Sequence, residues 1–212
     1  MPAPAVRMVD HLLYTVPDVP AAVAELAQAL GVRATMGGRH LGRGTRNALL
    51  ALGPESYLEI LGPDPVQPEP ERPRWFGIDA LTAPRLAAWA AKSSRLEELV
   101  ELARRKGVDL GSVESGSRQR PDGVTLRWRL TDPDALVADG LVPFFIDWGD
   151  TPHPARTAAE GASLVQLRAE HPSPDRVEPL LRAVDVDLPV ELGPRPGLVA
   201  TIAGLAGRVE LR

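Results

Sequence analysis

Cysteine is absent from the 212 residues. That excludes disulfides, thiolate nucleophiles and thiolate-held zinc or iron–sulfur centres, so any metal must be held by histidine, carboxylate or amide side chains. No stretch approaches the run of about 18 apolar residues that a membrane span requires. The residues before Val16 also lack the basic and then apolar segments of a secretion signal. A cytoplasmic protein without a membrane partner is the expectation. A basic surplus is missing as well: lysine and arginine number 24 against 28 aspartates and glutamates, a formal charge of −4. With the basic residues scattered, no footprint for a nucleic-acid backbone remains.

What is present is the balance of a chain that buries a core, 44% hydrophobic and 25% charged, with 19 glycines and 22 prolines but no low-complexity period. Residues 8–16 read as a strand. The Pro17–Asp18–Val19–Pro20 segment supplies an N-cap with proline in the first turn, Val23, Leu26 and Leu30 recur at helical spacing, and Gly31 is the stop. A turn at Gly37-Gly38 with a shorter strand, and then strands at 45–52 and 56–61, complete a β-α-β-β-β order. Residues 62–84 form a proline-rich connection tied down by Trp75 and Phe76. The order recurs: a strand at 86–91, a helix capped by Ser94 and ended by Gly107, and strands near Val113, at 124–130 and at 143–148. A third pass runs from a strand at 163–170 through a helix in 174–184, which Pro179 interrupts, to strands at 198–202 and 208–211.

Three such units, 8–61, 86–148 and 163–211, imply one domain over 1–212 of α+β class. One unit cannot cover its own sheet, whereas two side by side make a curved mixed sheet around a cavity with helices outside. His11 on the first strand and Glu59 in Tyr57-Leu-Glu-Ile-Leu61 resemble the vicinal oxygen chelate superfamily of glyoxalase I and extradiol dioxygenases. Asp10-His-Leu-Leu-Tyr14, the Gly37–Leu49 stretch, Phe144-Phe-Ile-Asp-Trp-Gly149 and Pro152-His-Pro154 are similar to its glyoxalase-like domain branch. The resemblance implies a divalent metal, of unspecified identity, that chelates adjacent oxygens of a small-molecule substrate as a Lewis acid. It implies His11 and Glu59 as metal ligands and Glu59 and Asp147 as catalytic carboxylates. His40, Arg43, Asn47, Trp148 and His153 would lie around the substrate, and a homodimer is compatible with it.

Strand parity puts Glu59 with Tyr57 and Leu61, His11 with Val9 and Leu13, and Thr45 with Asn47. Two completions of the metal site stay open. Aligning the first unit with the third sets His11 against Gln166 and Glu59 against Glu210, a four-donor set. Aligning it with the second sets His11 near Ala87 and Glu59 against Asp147, leaving three donors.

Each residue also has a plainer reading. His11 beside Asp10 also fits a hydrogen-bonded core histidine, and His40 an exposed loop residue. Arg39, Arg43 and Arg46 are either a solvated face or a carboxylate-binding cluster. Asp147, between Ile146 and Trp148, is expected to face the Glu59 side of the protein, because an unpaired carboxylate there is costly. His153, fixed between Pro152 and Pro154, is expected over the pocket rim. Trp128 belongs with Val124, Leu126 and Leu130 to the core. Two functions follow: a metal-dependent enzyme on a small, anionic, oxygenated substrate, or a metal-free protein that binds or sequesters a small molecule.

Overall fold

The alternating segments pair as strands. The computed structural model describes residues 8–120 and 122–212; residues 1–7, on which part of the reading of the N-terminus rests, lie outside it. The first unit runs β1 (Val9–Thr15), α1 (Val19–Leu30), β2 (Thr35–His40), β3 (Thr45–Gly53) and β4 (Ser56–Pro63). The second runs β5 (Arg85–Lys92), α2 (Leu96–Arg105), β6 (Val113–Gln119), β7 (Thr125–Thr131) and β8 (Phe144–Asp147). The third runs β9 (Ser163–His171), α3 (Pro174–Ala183), β10 (Val190–Leu192), β11 (Gly197–Ala203) and β12 (Arg208–Leu211). Helix α1 begins where the Asp18 carboxylate accepts the Ala21 N–H at 3.0 Å, and it ends at Gly31 with φ 72°. Arg95, not Ser94, occupies the cap position of α2 and makes no side-chain cap bond. Pro179 sits inside α3 without ending it.

The first two units close on each other as an eight-stranded barrel of order β1-β4-β3-β2-β6-β7-β8-β5. In each unit the first and last strands are parallel, and antiparallel pairs β1–β5 and β2–β6 join the halves. The expected curved mixed sheet around a cavity is therefore present, and one chain completes it. The third unit repeats the order of elements along the chain but not the order of strands. It forms a separate sheet, β10-β9-β11-β12, outside the barrel. One face of that sheet is ionic: Arg168 pairs with Glu170 and Glu191, and Arg212 with Glu170 and Glu210. Its other face buries Leu167, Ala169, Leu198, Ala200 and Ile202 in a core shared with Leu12, Trp89 and Phe145 of the barrel exterior and with Leu26 and Val100 of the helices. At about 1.5–3 kcal/mol for each large apolar side chain buried, this interlayer is the main source of stability. A smaller cluster, including Leu13, Leu61, Ala88, Ala90, Phe144 and Ile146, lies inside the barrel. No described helix is long and apolar enough to cross a membrane.

Two irregularities prepare the barrel interior. In β1, Val9 faces Ala91 and His11 faces Ala90, so Asp10 is an extra residue in a β-bulge. The bulge breaks the parity that grouped Val9 with His11: Val9 packs in the outer core while His11 faces inward. Gly37 and Gly38 are not a turn but part of β2. A Cβ on Gly37 would come 2.2 Å from Asn47 Oδ1 and 2.6 Å from Arg118 Nη1, so the bare backbone makes room for these two side chains.

Candidate functional site

A cavity of about 750 Å³ opens inside the barrel. Its polar end is organised by Asn47 of β3. The Asn47 Oδ1 accepts the Gly38 N–H and the Arg118 Nη1–H, both at 2.9 Å, and Asn47 Nδ2 donates to Glu59 Oε1 at 2.6 Å. Two donors on one side and a carboxylate on the other fix the amide orientation. Glu59 Oε2 lies 3.7 Å from His11 Nε2, and Oε1 lies 3.8 Å from His40 Nε2. Burial pushes the Glu59 carboxyl up, but His11, His40, the Arg118 guanidinium and the Asn47 hydrogen bond outweigh it and hold it below its usual value. Glu59 is thus a buried anion with one oxygen committed to Asn47.

Both histidines are oriented from behind. His40 Nδ1 is 3.0 Å from Thr45 Oγ1, and burial pushes His40 down to about 4, with Arg118 and Arg43 adding to the shift against Glu59, so the ring is neutral near pH 7. His11 Nδ1 donates to the wholly buried Asp10 at 2.8 Å, which turns Nε2 toward the cavity and Glu59. Asp10 also accepts from Trp148 Nε1 at 3.1 Å and from His153 Nε2 at 3.1 Å. Burial raises the Asp10 carboxyl, yet its bonds to His11 and His153 hold it far below the ordinary carboxylate range. The His11 ring stacks on Tyr57 at 4.8 Å and meets the edge of Phe144 at 5.5 Å. Burial, then Glu59 and Asp10, raises the Tyr57 hydroxyl well above 10, so it stays protonated.

The structure brings His11, His40, Arg43, Asn47, Glu59 and Trp148 to this cavity. Arg43 lies 4.3 Å over the Trp75 ring, whereas Arg39 pairs with Asp64 and Arg46 does not line the cavity. Asp147 is placed elsewhere. Phe144 and Ile146 point inward, so Asp147 shares the outer face with Phe145, just past the helix cover, where it accepts the Gly149 N–H at 2.9 Å opposite Arg129. Half-exposure there removes the penalty that argued for a cavity position. His153 is not over the rim but behind Asp10. Gln166 and Glu210 are exposed on the third unit's sheet, both opposite Thr201, so the pairing of units one and three does not occur. Trp128, expected in the core, is a cavity wall.

The second unit answers the His11–Glu59 pair with apolar residues: the inward positions are Ala88 and Ala90 on β5 and Phe144 and Ile146 on β8. Among the described residues no group of three or more His, Cys, Asp or Glu side chains is placed to hold a metal ion. Of the metal centre implied by the resemblance, neither the four-donor nor the three-donor completion is built around His11 and Glu59, and the residues present do not fit it. Sequence reasoning missed Arg118, which carries no local signal, and read Asp10 only as a neighbour of His11 within the Asp10–Tyr14 motif. It also read 62–84 as connection, although Arg72, Arg74, Trp75 and Phe76 of that segment line the cavity.

A family model described as a glyoxalase-like domain matches residues 9–184. No curated relative matches. A hypothetical protein from Staphylococcus aureus is similar in structure, with TM-score 0.60 at 14% identity over 95% of this chain and 83% of that one. Methylmalonyl-CoA epimerase from Mycobacterium tuberculosis gives TM-score 0.45 at 20% identity, covering 70% of this chain and 93% of that one. A hypothetical protein from Bacillus halodurans gives 0.45 at 17%, covering 68% and 95%.

Proposed function

Since the chain belongs to the glyoxalase-like domain family of the vicinal oxygen chelate superfamily, we propose that it is an enzyme of isomerase or lyase type that moves a proton on a small oxygenated substrate, with Glu59 as the base. The observation that carries this reading is the Glu59 carboxylate itself. It is buried, anionic, anchored through Oε1 by Asn47 and directed through Oε2 to the cavity beside His11. Such a group can take a proton from a carbon next to a carbonyl. The enolate charge is then met by Arg118, and the proton returns to carbon or a neighbouring group leaves. His11, with Nδ1 bonded to Asp10, has Nε2 free to exchange a proton with Glu59 or substrate oxygen. No step here passes through a metal, because Ala88, Ala90, Phe144 and Ile146 stand where the second half of a chelate centre would be.

The test is deuterium uptake from solvent by a panel of small 2-oxo and 2-hydroxy acids, followed by proton NMR. The wild type should exchange at least one of them, and Glu59→Gln should slow this by at least about a hundredfold while retaining ligand binding. The second reading, a binding or sequestering protein, is favoured by the apolar half of the interior. Tight binding without exchange by either protein would support it and overturn the enzyme.

A further inference from the structure

The chain is poor in aromatics, with four tryptophans, two tyrosines and three phenylalanines. Six of these nine, Tyr57, Trp75, Phe76, Trp128, Phe144 and Trp148, line the cavity. Their placement is not a by-product of core packing, because the large core between barrel, helices and second sheet is almost wholly aliphatic. The backbone is also shaped around them. Phe76 has φ 57°, a left-handed conformation that a side-chain-bearing residue adopts only under constraint. The Arg85 guanidinium holds its carbonyl there at 2.6 Å, and its ring lies 6.4 Å from Phe144. Gly116 has no Cβ because the Trp128 indole occupies that space, 2.4 Å from where the Cβ would be, and Trp128 in turn contacts Trp148 at 5.3 Å.

Size and charge narrow the ligand further. A three- or four-carbon acid bound at Glu59 and Arg118 would fill only a small part of about 750 Å³, a volume suited to a molecule with a substantial apolar body. The lining offers no net attraction for a polyphosphate carrier: Arg43, Arg72, Arg74 and Arg118 are matched in number by Glu59, Glu114, Asp132 and Asp134, and Arg74 is already paired with Glu69 and Asp79.

We infer that the substrate is an aromatic acid, whose oxygenated head meets Glu59 and Arg118 and whose ring lies among Trp75, Phe76, Trp128 and Phe144. This rests on the proposed use of the cavity as the reaction site and names its substrate class. Aromatic walls favour an aromatic ligand over an aliphatic one of equal size because edge and face contacts add to apolar burial.

The experiment is calorimetric titration of the wild type, and of Glu59→Gln, with 3-phenyl-2-oxopropanoate and 3-cyclohexyl-2-oxopropanoate. The phenyl compound should bind both proteins at least about fivefold more tightly than the cyclohexyl compound. Trp75→Leu and Trp128→Leu, prepared separately so that one misfolded variant does not decide the matter, should narrow the ratio to about twofold or less. Equal or tighter binding of the cyclohexyl compound, or no binding of either at about 5 mM, overturns the inference. Loss of the proton-transfer reading leaves a different trace, because the phenyl preference then persists in both proteins while neither, or Glu59→Gln equally, takes up deuterium.

Discussion

Replacing Asp10 by asparagine changes one atom type in a wholly buried position where three N–H donors converge, from His11, Trp148 and His153. Asparagine keeps one acceptor oxygen and introduces an NH2 group, so at least one of the three donors must face another donor. Hydrogen bonds to a charged group contribute about 1.5–3 kcal/mol each, and a buried donor left unpaired costs about 1–3 kcal/mol. Part of this is offset because a neutral side chain is easier to bury. A net loss of about 2–4 kcal/mol is expected, which for a chain of this length lowers Tm by about 4–16 °C. The acid limb also changes. A carboxylate whose folded-state pKa is depressed contributes stability that is present above its unfolded value, about 3.9, and lost as pH falls through the folded value; Asp10→Asn should lack that loss. Thermal unfolding by circular dichroism measures the first effect, and the His11 imidazole nitrogen shifts report whether Nδ1 still carries the proton. An unchanged Tm, within about 1 °C, together with an unchanged His11 tautomer would refute the assignment of Asp10 as the group that orients His11.

Gly37→Ala places a methyl against Asn47 and Arg118, and should cost about 1–3 kcal/mol in chemical denaturation while weakening binding of anionic ligands. His40, pushed down to about 4 by burial, stays neutral in the folded protein while the unfolded chain protonates near 6.5. Stability should therefore fall as pH drops from about 6.5 to about 4, by at most about 3 kcal/mol, and His40→Gln should flatten that window in denaturation curves measured at each pH. Asp147→Asn, on the outer face at a single backbone contact, should leave ligand affinity within about twofold in calorimetry and stability within about 1 kcal/mol.

The barrel was legible because period-two segments and the caps of α1 are local signals, and because two repeats of β-α-β-β-β have few ways to cover each other. The departure of the third unit was not. Its element order copies the others, and the difference lies in which strand sits beside β9, a long-range choice that no local segment of the sequence carries. At the site, the positions of His11, Glu59 and Asn47 followed from alternation and from motif. Alternation misplaced Val9 because the Asp10 bulge adds a residue without any mark in the sequence. Asp147 falls outside the cavity because strand parity puts Phe144 and Ile146 inside, which the apolar character of its neighbours does not show. Arg118 reaches the cavity only because Gly37 and Gly38 stand opposite it, and the two glycines read alone as a turn.

The central claim is that Glu59 moves a proton in this cavity with half a chelate centre and no dependence on a metal. Deuterium incorporation into an exchangeable 2-oxo acid, by wild type treated with chelator and verified by elemental analysis, measured beside Glu59→Gln, tests it most directly. Exchange at an undiminished rate in the treated wild type, with a loss of at least about a hundredfold in Glu59→Gln, is the predicted result. Exchange that vanishes on chelation and returns with an added divalent ion, or that survives in Glu59→Gln, would contradict it.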